Sequence, residues 1–136
     1  MPAQSSAVDV RSIISSIAEF LRIQDWRFSV YVLPLDVLQA AFDENKQATG
    51  DEIVYGFTIY DQYERNASIY LASPEDLKDH KANIEEIALH EMLHVLVDGN
   101  RAPTDEIASE RAVRTLTEIL LPRVKRLLRA KKKKPK

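Results

Sequence analysis

Apolar residues recur at helical spacing in several stretches of this chain and alternate with polar ones in others. Val10, Ile13, Ile14, Ile17 and Leu21 share one helical face, which predicts an amphipathic helix over about residues 8–22. Residues 26–32 alternate and are rich in β-branched and aromatic side chains, so a first strand is expected there, ended by Pro34. Residues 36–47 carry a weaker helical pattern, and Thr49-Gly50-Asp51 reads as a turn. Residues 53–60 and 68–71 read as second and third strands around a polar stretch, which predicts a hairpin. Ser73-Pro74 then opens a polar segment with a helical turn near residues 74–77.

The C-terminal half switches to helical periodicity. Ile84, Ile87, Ala88, Leu93 and Leu96 recur at helical spacing, with Asn83 as N-cap, Glu86 three residues later and Gly99 as a stop. A helix over about residues 84–97 follows. Thr104 is placed to cap a further helix, with Asp105 and Glu106 in its first turn and Val113, Leu116, Thr117 and Leu120 as its apolar stripe. Pro122 is expected to break or restart that helix. The order is a helix, a small antiparallel sheet with a hairpin, then two packed helices, an α+β fold. If the third strand lies at a sheet edge beside the 84–97 helix, an extended peptide can add to it around Ile69.

The 84–97 helix carries chemistry. His90-Glu91-Met92-Leu93-His94 places two imidazoles one turn apart on one face, with a carboxylate beside them. That HExxH spacing lets two ring nitrogens converge on one Zn²⁺ while Glu91 acts as general base. A catalytic zinc has three protein ligands, so a third must come from elsewhere. Asp98 lies a further turn along, no histidine follows His94, and the chain has no cysteine. A carboxylate on the next helix remains. Extending the apolar stripe of that helix backwards lands on Glu110 and then Glu106. A core-facing carboxylate is costly unless it is paired or bound to metal, which favours Glu110. Glu106 is the alternative, since a first-turn acid is already favoured by the helix dipole.

With these residues the chain resembles the gluzincins, metallopeptidases whose zinc is held by HExxH plus a glutamate on the following helix. It more closely resembles the small single-domain predicted metallopeptidases of phage and prokaryotic origin sometimes called minimal gluzincins. The likeness covers about residues 26–121 and includes the run Glu110-Arg-Ala-Val-Arg-Thr-Leu. It implies a zinc peptidase fold, with His90, His94 and Glu110 as ligands and Glu91 as general base. Thermolysin-like enzymes steady the oxyanion with further histidine and tyrosine residues on a second lobe. This chain has no such lobe, and His80 is its only other histidine. The implied peptidase activity is therefore weak or narrow. Tyr70 is the candidate oxyanion donor; Arg111 and Arg114 are placed to pair with nearby acids, and Arg101 to meet a substrate carboxylate.

Charge adds one feature. The net charge is −2, yet residues 123–136 carry nine Lys or Arg and no acid. The other 122 residues hold 10 basic and 21 acidic side chains, a formal −11. The domain is accordingly read as residues 1–122, followed by a basic C-terminal tail over 123–136. Such a tail is either solvated and partly disordered or a weak grip on nucleic acid or an acidic partner. No run is apolar and long enough for a membrane span, and the first residues show no secretion leader, so a cytoplasmic protein is expected. Two functions compete: a zinc-dependent peptidase acting on a peptide or protein substrate, and a non-catalytic, zinc-stabilised interaction protein using the basic tail.

Overall fold

The computed structural model describes residues 3–46, 54–61, 63–98 and 106–133. Its three strands, β1 (Arg27–Leu33), β2 (Gly56–Asp61) and β3 (Asn66–Ala72), form one sheet in the order β1–β3–β2. The helices are α1 (Ala3–Leu21), α2 (Leu35–Lys46), α3 (Pro74–Asp79), α4 (Ile84–Asp98) and α5 (Glu106–Lys133). The α+β class and the β2–β3 hairpin stand as the sequence suggests. The sheet is mixed, however, because β1 runs parallel to β3 while β2 is antiparallel to it. Side-chain alternation carries no information on strand direction, and here the chain leaves β1 through α2 and re-enters at the opposite edge. As a result β3 is the central strand, bonded on both sides, and the edge expected near Ile69 belongs to β1 and β2 instead.

The pleat divides the interior into two clusters. Ala67, Ile69 and Leu71 of β3 meet Val10, Ile14 and Ile17 of α1 and Ala88, Leu89, Met92 and Leu93 of α4. Phe28, Val30 and Val32 of β1 extend this layer. On the other face Phe57 and Ala72 pack with Leu38 of α2 and Leu77 of α3. Local signals hold the helix starts in place. Asn83 Oδ1 accepts the Glu86 amide at 3.1 Å, and Ser73 Oγ accepts the Asp76 amide at 3.2 Å. Asp76 Oδ2 in turn accepts the Leu35 amide at 2.8 Å, tying the start of α2 to α3. The Thr49-Gly50-Asp51 turn, the Gly99 stop and the Thr104 cap lie outside the described residues.

Helix α5 runs through Pro122 without a break. Pro122 and Glu118, whose carbonyl loses its donor, are both on the exposed side, where water can serve that carbonyl. Beyond the proline, Val124 (0% exposed) and Leu128 (8%) continue the stripe of Val113 and Thr117 into the main core. Lys131 Nζ reaches Ser16 Oγ and Glu19 Oε1 on α1, each at 3.2 Å. The basic segment as far as residue 133 is therefore a docked helix, and the expected boundary at residue 122 falls inside α5. No described helix is long and apolar enough to cross a membrane.

Gly56 sets how closely β2 approaches α4. A Cβ there would lie 3.0 Å from both Leu71 Cδ2 and the Tyr70 carbonyl oxygen, and 3.1 Å from Ile87 Cγ2. Backbone on one side and a packed helix on the other leave it no room. Gly56→Ala is expected to destabilise the protein by about 1–3 kcal/mol, as overpacked sites do. Denaturant unfolding checks this; an unchanged midpoint would show that β2 can move away from α4 at no cost.

Candidate metal centre

Residues of α4 point in three directions. Ala88, Leu89, Met92, Leu93 and Val95 are buried toward the core. One helical turn apart, His90 and His94 form a half-buried pair, with ring centroids 5.0 Å apart and planes at 74°. Glu91, about 100° around the helix from His90, is 6% exposed and meets the sheet.

Helix α5 supplies the third member. Val113 and Thr117 are buried on its inner side, and Thr117 Oγ1 donates to the Val113 carbonyl at 2.7 Å. One turn before Val113, Glu110 is turned toward α4. Its Oε2 lies 3.2 Å from His90 Nε2 and its Oε1 3.2 Å from His94 Nε2. The three side chains offer one ligand atom each within 4.8 Å of one another. Ligands about 2.0–2.2 Å from a tetrahedral zinc stand roughly 3.4 Å apart, and each imidazole nitrogen already stands near that distance from one carboxylate oxygen, a different oxygen in each case. Two imidazoles and a carboxylate are also a donor set that zinc accepts. Arg114, one turn after Glu110, places Nε 3.5 Å from Glu110 Oε2. This is the arginine–acid pairing expected from the sequence, and it leaves a cation at the rim of the group.

Electrostatics prepare His90 for a metal. Burial pushes its pKa below the ordinary 6.5, and the neighbouring His94 and Arg114 push the same way, while Glu110 opposes them. A neutral imidazole is the form that ligates.

The structure adds one residue that the sequence reading passed over. Thr58 Oγ1 donates to Glu91 Oε1 at 2.6 Å. A short hydroxyl–carboxylate bond in a partly buried setting fixes the carboxylate's orientation. Strand alternation carried the signal, since Thr58 pairs with Ile69, whose side chain lies in the core against α4. The same alternation removes Tyr70. It pairs with Phe57 and stacks between Phe57 (4.6 Å) and Tyr31 (4.8 Å) on the opposite face of the sheet. Tyr70 is therefore not an oxyanion donor to this centre. His80 caps the C-terminus of α3 with its ring against Tyr55, and it is not part of the group. The Glu106 side chain and Arg101 lie outside the described residues.

His90 in metal-free protein is expected to titrate below 6.5, as followed by NMR of the imidazole protons. Because its folded pKa is depressed, the unfolded chain takes up the proton more readily. Its contribution to stability is therefore intact above about 6.5 and is lost as pH falls through the folded value. Titration at or above that of an exposed histidine would contradict the burial argument. No protein-family model, no curated protein and no solved structure matches the chain, so the chemistry of this centre rests on its own geometry.

Proposed function

We propose that the protein is a zinc-dependent peptidase or related amide hydrolase, with His90, His94 and Glu110 as ligands and Glu91 as general base. The observation that carries this reading is the pairing of a three-donor group with a buried, hydrogen-bonded glutamate on the helix that bears two of its donors. A structural zinc site is closed by four protein ligands, whereas a catalytic one keeps a position open. Among the described residues the group has three members, which favours catalysis over the interaction-module reading.

Zinc, when bound, supplies a Lewis acid that polarises an amide carbonyl and makes water more acidic. The chain's own residues do the rest. Glu91 takes the proton of the attacking water and passes it to the leaving amine nitrogen. Thr58 holds the carboxylate through both steps and is a positioning residue. The strand next to Glu91 is β2, an edge strand whose second partner is absent among the described residues. A peptide laid along it pairs with its main chain. This moves the expected docking strand from the segment around Ile69 to residues 56–61. Among the described residues no second lobe completes an oxyanion pocket, so slow turnover on general substrates is expected, since one missing donor typically costs about 10²–10³.

Reconstituted protein is expected to hold one Zn²⁺ per chain by elemental analysis. Chelator titration should show Glu110→Ala weakening zinc binding more than Glu106→Ala does. Equal or reversed effects would transfer the ligand role to Glu106, and metal-free protein after reconstitution would end the proposal.

The catalytic test uses peptide libraries and casein with zinc-loaded protein. Glu91→Gln should keep zinc and fold but abolish cleavage. Thr58→Val should keep zinc and lower kcat about 10- to 100-fold, the worth of a hydrogen bond to a charged group. Rapid casein digestion would contradict narrow specificity, and no cleavage of any peptide would favour the interaction-module reading.

A further inference from the structure

The C-terminal half of α5 has an outward face that the metal centre does not use. Arg123, Arg126 and Arg129 are exposed and follow one another at three-residue intervals, with Lys125 half-buried beside them. At 1.5 Å per residue the three guanidinium groups step along about 9 Å of helix. None of these four cations has an acidic partner among the described residues. The sequence from residue 119 to 136 contains no Asp or Glu. Lys131 is different: it leans onto α1 and is matched by Glu19.

The inner side of the same turns is anchored. Val124 and Leu128 are buried in the main core, so the cations project from a fixed ridge. Holding like charges together without counter-charges costs free energy unless a polyanion takes their place beside them. A planar guanidinium suits phosphate in particular, because it donates two parallel hydrogen bonds to its oxygens.

We infer that this ridge is a docking surface for the phosphate backbone of duplex nucleic acid, bound without reading its sequence. Two observations separate this from a membrane surface. An interfacial helix needs an apolar face for the lipid, and the apolar ridge of α5 is already spent on the core. Ile119 (63% exposed) is the one large exposed apolar side chain on α5 among the described residues, too little to form such a face. The absence of exposed aromatic residues on the ridge argues against base stacking on single strands. Outside residues 123–136 the chain carries a formal −11, a net charge that disfavours a polyanion on the rest of the chain and favours it at this end.

The test is fluorescence anisotropy of full-length protein with a labelled random-sequence duplex DNA across a salt series. Four phosphate contacts predict a log–log salt slope of about −3.6, roughly 150-fold weaker binding between about 50 and 200 mM salt. Arg126→Glu with Arg129→Glu should weaken binding at least tenfold with zinc content and circular dichroism unchanged. The Gln pair at the same positions should give a smaller loss in the same direction. Lys134→Glu with Lys136→Glu should cost less than the arginine pair. Vesicles rich in phosphatidylserine should bind more weakly than the duplex at equal salt. The inference is overturned by no duplex binding, by a loss that follows the terminal lysines and spares the arginines, or by vesicles or single strands outcompeting the duplex.

Discussion

Everything in this molecule is arranged around the burial of α4. An α-helix turns about 100° per residue, so adjacent side chains face different neighbours. In α4 that rotation is used three times. Leu89, Met92 and Leu93 enter the core, His90 and His94 face Glu110 of α5, and Glu91 faces Thr58 of β2. Each contact requires its neighbour to be held close. The core anchors α1 and the sheet, the buried stripe of α5 places Glu110, and Gly56 lets β2 approach. His90, Glu91 and His94 are thereby fixed relative to one another by one helix, and the packing of α5 against it brings Glu110 to the same place.

That arrangement explains why the polar groups of the centre are tolerable. Two imidazoles beside a carboxylate, partly withdrawn from water, would be costly as isolated groups. Here they satisfy one another at 3.2 Å, with Arg114 at the rim, while burial biases His90 toward its neutral form. The same interactions make the group ready to exchange protons for a metal ion.

Much of this was readable from the chain. The HExxH pentad and the Asn83–Glu86 cap needed only local rules, and both stand as expected. Glu110 was reachable because a carboxylate on an apolar stripe requires a partner. What escaped was non-local. Strand alternation gave the faces of β1 and β3 but not their relative direction, so the mixed sheet and the central place of β3 could not be read. Tyr70 was misplaced although alternation could have placed it, since one residue on from Ile69 along the strand is the opposite face of the sheet. Thr58 was legible in principle, yet a lone threonine in a strand carries no sign of its partner until α4 is laid across it.

The end of α5 shows how composition can hide structure. Nine basic residues after Pro122 suggest a solvated tail, and a proline inside a helix is normally a stop. Both rules yielded to the spacing of Val113, Thr117, Val124 and Leu128, which keeps one face apolar through the proline. Once that face is docked, geometry obliges the cations to gather on the other side. The acids of the chain lie before residue 119, and among the described residues the one paired with this segment is Glu19, matched to Lys131. The charge separation is therefore a consequence of helix packing, and it sets the free arginines on a different part of α5 from Glu110. One helix thus carries Glu110, the α5 member of the candidate metal group, in its second turn and a basic ridge in its last ones, so that the ridge stands in a fixed relation to that group.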